Sequence, residues 1–194
     1  MEKDQEMEEL EQQIITCQKC TLWKGRTHAV VGGGSPRANV MFIGEAPGFH
    51  EDKQGVPFVG KAGKILDELL ESIGLTREEI YIANILKCRP PNNRNPLQSE
   101  IRACTPYLDK QLQIIRPSVL ATLGNFALGY VCETFGVEVK PIGKIHGSVI
   151  HVPYQQRDLT LIPLYHPAAA VYNPAMKKTL LNDVKKIIHS LEKH

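Results

Sequence analysis

No stretch of the sequence is apolar and uninterrupted for the length of a membrane span, so no helical anchor is expected. The opening MEKDQEMEELEQQ has neither the basic region nor the apolar core of a secretory signal, which points to the cytoplasm. Charge of one sign is not in excess either. Lysine and arginine number 23 against 21 aspartate and glutamate, and the net charge of +2 names no partner by itself. Internal repeats and linkers are absent, and 194 residues suit one domain, so residues 1–194 read as a single unit. What is present is a globular mixture, 42% hydrophobic and 23% charged, which excludes a disordered chain and provides for a substantial core. The distribution of charge says more than its sum. Acidic residues crowd the first eleven positions, whereas Lys87, Arg89, Arg94 and Arg102 cluster mid-chain and Lys177, Lys178, Lys185 and Lys186 lie near the end. Such clusters can track phosphates, although lysines on helices more often only keep a surface soluble.

Met7, Leu10 and Ile14 recur at helical spacing within residues 4–16, a helix leading straight into Cys17. NVMFI, residues 39–43, is an apolar run stopped by Gly-Glu-Ala-Pro-Gly, as expected of a buried strand entering a turn-rich loop. Ile65, Leu66, Leu69, Leu70 and Ile73 form one stripe over residues 64–73, closed by Gly74. Residues 81–86 predict a second strand, 97–115 a long amphipathic helix, 119–123 a third strand and 125–135 another helix. Short strands are expected over 148–152 and 159–164, the latter running into His166. Pro174 starts a last helix that continues to about Ser190. Strands alternating with helices predict a three-layer α/β/α fold around a central, mostly parallel four-stranded sheet. Ligands on such sheets bind at the carboxyl ends of the strands. Here those ends are GEAPG (residues 44–48), residues 84–89, Gly124-Asn125 and His166-Pro167.

Cysteine is scarce, with five residues, and four of them look like one set: the C-x-x-C of Cys17 and Cys20, then Cys88, then Cys104. In a reducing compartment a C-x-x-C binds metal or does redox chemistry more readily than it forms a disulfide. A pair joined by two single cysteines departs from the paired C-x-x-C of zinc ribbons and is compatible with an iron–sulfur cubane, but spacing alone does not choose the metal. The plainer alternative makes Cys88 and Cys104 small buried hydrophobes. Cys132, among Leu128, Val131 and Phe135, reads as core. The Gly-rich segment after residue 43 lacks the Gly-Lys-Ser or Gly-Lys-Thr of a P-loop. Taken singly, Asn84 is a turn-former at a strand end and His166 a satisfied polar residue.

Taken in order, GEAPG, PFVGKAG, NILKCRPPNNRNP and HPAAAVYNP resemble the family 4, iron–sulfur uracil-DNA glycosylases, from Cys17 to the final helix. The resemblance implies a [4Fe–4S] cluster on Cys17, Cys20, Cys88 and Cys104. It implies that Gly44, Glu45, Ala46 and Gly48 wrap a flipped uracil and the attacking water, with Phe58 stacked on the base. Asn84 would read the uracil edge, and His166 would stabilise the charge that develops on uracil O2. The partner would be uracil-containing DNA, single- or double-stranded, and the chain a monomer. The chemistry makes the same demands: a base must leave the stack, be read by an amide, and depart as an anion stabilised by fixed dipoles.

The sequence departs from the wider superfamily in two places. Ala46 stands where the best-known members have a water-orienting aspartate, and Gly48 where they have a tyrosine that blocks thymine's methyl group. Glu45 is therefore the expected catalytic carboxylate beside His166, with Glu51 and Asp52 in reserve. Among the residues after His166, Ala170, Val171 and Tyr172 compete as the wedge that presses on the DNA. Two other readings stay open: a relative that binds uracil-DNA tightly or covalently, with residues 140–146 as its poorly matching basic loop, and a non-catalytic metal-stapled nucleic-acid module.

Overall fold

The computed structural model describes residues 2–192. Apolar alternation builds its centre. In β2 (Val40–Gly44), Met41 and Ile43 enter one core while Val40 and Phe42 enter another, the period-two pattern of a strand covered on both faces. The first face receives α1 (Glu2–Ile15) through Met7, Leu10 and Ile14, α4 (Gln98–Ile115) through Leu108 and Leu112, and α5 (Asn125–Phe135) through Leu128 and Val131. The second receives α3 (Lys61–Ser72) through Leu66, Leu69 and Leu70, and α7 (Pro174–Leu191) through Leu180, Val184 and Ile187. Each such side chain contributes on the order of 1.5–3 kcal/mol by leaving water. The layers are therefore α/β/α, as expected.

The sheet has six strands, not the four expected. Its order is β1 (Gly33–Gly34), β3 (Tyr81–Asn84), β2, β4 (Val119–Leu123), β6 (Arg157–Leu164) and β5 (Ile150–Tyr154). The inner four run parallel, and β1 and β5 close the edges antiparallel. Both edges have local causes. The two glycines of β1 carry no side-chain pattern from which a strand could be read. Gln155 and Gln156 join β5 to β6 with positive φ of 48° and 65°, a tight turn that ordinarily takes Asn-Gly or glycine. The hairpin was invisible for that reason, and β5 lies two residues beyond the expected 148–152. Two short helices also went unforeseen, α2 (Phe49–Gln54), directly after GEAPG, and α6 (Ile142–Ile145). Among the described residues, no helix is long and apolar enough to cross a membrane.

Candidate active site and cysteine site

Gly44 pairs with Asn84 across β2 and β3, and Leu123 with Leu164 across β4 and β6. GEAPG, Asn84, Gly124 and His166 therefore emerge at one edge, the carboxyl ends of the parallel strands. A cavity of about 600 Å³ opens there, lined by Glu45, Ala46, Gly48, Phe58, Asn84 and His166 among others. Gly44 alone of the expected substrate-facing residues does not line it. It lies beneath: a Cβ on Gly44 would stand 2.4 Å from Asn84 Oδ1 and 2.8 Å from Phe58 Cζ. Glycine at this strand end is what lets the amide and the ring approach each other.

Asn84 is 3% exposed, and its Oδ1 is buried without a hydrogen-bond partner. An unmet acceptor of this kind costs about 1–3 kcal/mol, so its presence in a cavity wall marks it for a ligand's N–H. Phe58 is buried with a left-handed backbone, φ 53°, a conformation that costs a non-glycine residue about 1 kcal/mol. Arg77 holds it there, donating from Nη2 to the Phe58 carbonyl at 2.5 Å and from Nη1 to Pro57 at 3.0 Å, while its Nε donates to Asp67 at 2.6 Å. Gly63 leaves room for that carbonyl, since a Cβ would lie 1.9 Å from it. Sequence reasoning missed Arg77 because its partners, the Asp67 carboxylate and the Pro57 and Phe58 carbonyls, lie 10 to 20 residues away in the chain.

The His166 ring stacks on Phe58, with centroids 5.7 Å apart and planes at 28°. Its Nδ1 accepts the Ala168 N–H at 3.1 Å, which leaves the proton of the neutral ring on Nε2. Burial lowers its pKa to about 4, with the nearby Glu51 opposing, so the ring is a neutral donor at physiological pH. The three carboxylates differ. Glu51 Oε1 accepts the N–H groups of Val59 and Gly60 at 2.9 and 3.0 Å, and buried Asp52 accepts from Thr27 N–H at 2.9 Å. Both are engaged in holding loops. Among the described residues Glu45 has no side-chain hydrogen bond of this kind; it lines the cavity, and burial raises its pKa above the usual carboxylate range.

Cys17, Cys20, Cys88 and Cys104 line a second cavity together with Arg26, Lys87 and Tyr107. Three N–H donors point at the sulfurs: Lys87 N to Cys104 Sγ at 3.2 Å, Arg26 Nη1 to Cys88 Sγ at 3.2 Å, and Lys19 N to Cys17 Sγ at 3.5 Å. Burial pushes the Cys104 thiol up to about 11, so gathering these thiols as thiolates requires compensating positive charge. Among the described residues, no three His, Cys, Asp or Glu side chains stand close enough to share a single metal ion. Cys132 is wholly buried in the core on α5, as expected.

The mid-chain basic cluster needs correction. Lys87 is 1% exposed and turned inward, and Arg94 forms a two-pronged ion pair at 2.6 and 2.9 Å with buried Glu100. Neither offers a free charge to phosphates. Arg89 is partly exposed, its Nε donating to Asn93 Oδ1 at 2.7 Å and its guanidinium 5.2 Å from the centre of the half-exposed Phe49 ring. Tyr172, 83% exposed, stands out from the segment after His166, and Lys61 Nζ donates to its hydroxyl at 2.6 Å. Ala170 is buried. His146 pairs with Asp183 on α7 at 2.7 Å and does not line the cavity, so residues 140–146 bring no histidine to the site.

Residues 31–191 match the family model of the uracil DNA glycosylase superfamily. Over 182 residues, 93% of this chain and 83% of the relative, the sequence is 47% identical to the Type-4 uracil-DNA glycosylase of Sulfurisphaera tokodaii. It is 45% identical to the Archaeoglobus fulgidus Type-4 uracil-DNA glycosylase over 181 residues, 93% and 91% of the two chains. With the Thermotoga maritima Type-4 uracil-DNA glycosylase the identity is 39% over 186 residues, 95% and 94%. The chain belongs to the uracil-DNA glycosylase superfamily, within its type-4 enzymes.

Proposed function

We propose that the cavity receives a uracil flipped out of DNA and that the enzyme hydrolyses its N-glycosidic bond, leaving an abasic site and free uracil. The observation that carries this reading is the buried, unpartnered Oδ1 of Asn84. It accepts the uracil N3–H while the amide Nδ2 donates to O4. Cytosine offers a lone pair where uracil has N3–H, so a fixed amide leaves buried groups unpaired with the wrong base, and discrimination follows from that penalty. Phe58 supplies the stacking face, which is why its strained backbone is held by Arg77.

As the C1′–N1 bond breaks, its electron pair passes to the base and charge builds on uracil O2. The neutral His166 ring donates Nε2–H to that oxygen, a dipole placed where charge develops. Water adds to C1′, and its proton passes to the Glu45 carboxylate, whose burial favours taking it up. Gly44, Ala46 and Gly48 shape the loop around base and water. Tyr172 presses on the DNA where the base has left, and surface cations such as Arg89 contact flanking phosphates.

The same reading assigns Cys17, Cys20, Cys88 and Cys104 to a [4Fe–4S] cluster. Convergence of the four on one cavity supports it. When bound, the cluster supplies a cross-link between the segment after α1, the segment after β3, and α4. Residues 1–194 then behave as one unit, a monomer in the cytoplasm acting on single- or double-stranded DNA. Incubation with a uracil-containing oligonucleotide, followed by hot alkali, should break the strand at uracil. Intact DNA under multiple turnover would sink the catalytic reading, and a heat-stable protein–DNA band would favour the covalent relative.

A further inference from the structure

Lys87 is wholly buried, and nothing in the chemistry above uses it. It sits between the base-reading residue and the first buried cysteine. Its ammonium donates to the main-chain carbonyl of Asn84 at 3.0 Å and to Gln111 Oε1 at 2.7 Å, while its own N–H donates to Cys104 Sγ. Gln111 comes from α4 and is itself fully buried, donating from Nε2 to the Val31 carbonyl at 2.9 Å and to the Tyr81 hydroxyl at 3.0 Å. The lysine is thus held between two neutral acceptors, and among the described residues no carboxylate is bonded to it.

A buried cation without a carboxylate is a poor way to gain stability, because an apolar side chain of similar size usually serves as well. Its place is better explained by what it holds. Asn84 ends β3, and beyond it the chain runs through Ile85 and Leu86, whose N–H groups bond the carbonyls of Gly44 and Glu45 at 3.0 Å. A reading amide has to be fixed to within about half an ångström to discriminate between bases. The side-chain oxygen has no partner to fix it, so its peptide must be held instead.

We propose that Lys87 is a positioning residue for base recognition, its ammonium clamping the Asn84 peptide to Gln111 and so fixing the amide that reads uracil. This rests on Asn84 as the reader. One consequence is that reader and cysteine site share a single five-residue segment, Asn84 to Cys88, so a disturbance at the cysteines reaches the base pocket through Lys87.

Two variants test it, Lys87→Met and Gln111→Leu, the second removing the ammonium's acceptor from a position that is not one of the four cysteines. The readouts are inhibition by free uracil, affinity for abasic-site DNA, excision kinetics, and iron and acid-labile sulfide content. Both variants should raise the uracil inhibition constant by about tenfold or more, equivalent to about 1.4 kcal/mol, with affinity for abasic DNA unchanged. Gln111→Leu should keep the metal content of the parent. Unchanged uracil inhibition in Gln111→Leu would overturn the proposal, as would equal loss of uracil and abasic-DNA affinity in both variants. Failure of the parent protein to excise uracil would instead overturn the reading of Asn84 on which the proposal stands.

Discussion

Gly44→Ala asks whether the amide and ring of the pocket depend on one missing methyl group. The added Cβ would stand 2.4 Å from Asn84 Oδ1 and 2.8 and 2.9 Å from two carbons of the Phe58 ring. Ordinary contact begins at about 3.5 Å, so the shortfall is roughly 1 Å. The backbone offers no relief, because Gly44 is the last residue of β2, paired with Asn84. Its φ is not among the positive ones, so alanine meets no backbone strain and the whole effect is steric. The amide and the ring must give way, and both line the cavity. Displacement of this size costs about a hundredfold in rate, while overpacking costs about 1–3 kcal/mol of stability. Single-turnover excision of uracil from an oligonucleotide, beside thermal unfolding, separates the two. The control is Gly129→Ala on α5, where a Cβ meets nothing within 4 Å, and it should leave the rate unchanged. A Gly44→Ala protein that unfolds cooperatively and excises uracil at the parent rate would refute the geometry argued for Asn84 and Phe58.

Removal of the imidazole by His166→Ala should lower excision strongly while leaving affinity for abasic DNA nearly intact, and equal loss of both would make His166 structural. The same residue sets a pH dependence. Its folded pKa lies near 4, below the ordinary value of 6.5, so the unfolded chain binds more protons between these values. Stability from this group is then complete above about pH 6.5 and is lost as pH falls towards 4, by at most about 3 kcal/mol. Urea titrations of the parent and His166→Ala at pH 7 and 5 check this, the variant being expected to lose less stability on acidification. Cys104→Ser should lose bound iron and expose the segment around residues 16–20 to proteolysis. Full iron retention would remove Cys104 from the ligand set.

Much of the site was legible because its residues follow strands whose pattern is unambiguous. NVMFI, ended by glycine, placed GEAPG at a strand's carboxyl end, and the run over 159–164 did the same for His166. The parts that escaped are those whose meaning depends on a distant partner. Lys87 reads as surface charge, since nothing local reveals that Gln111 on α4 takes it up, and Arg94 reads the same way although its partner Glu100 lies only six residues on. Arg77 drew no attention in the sequence, and its role shows only where its guanidinium meets the Phe58 carbonyl. The β1 edge was lost for a related reason, since two glycines carry no pattern and pairing alone makes them a strand, while the Gln-Gln turn hid that the strand expected over 148–152 is one half of a hairpin.

The central claim is that Asn84 chooses the base. Asn84→Asp replaces the amide donor with an acceptor and leaves size nearly constant, so the relative excision rates from uracil and cytosine in otherwise identical oligonucleotides test the claim directly. The account predicts that the preference for uracil collapses while affinity for the DNA changes little. An unchanged preference would contradict it.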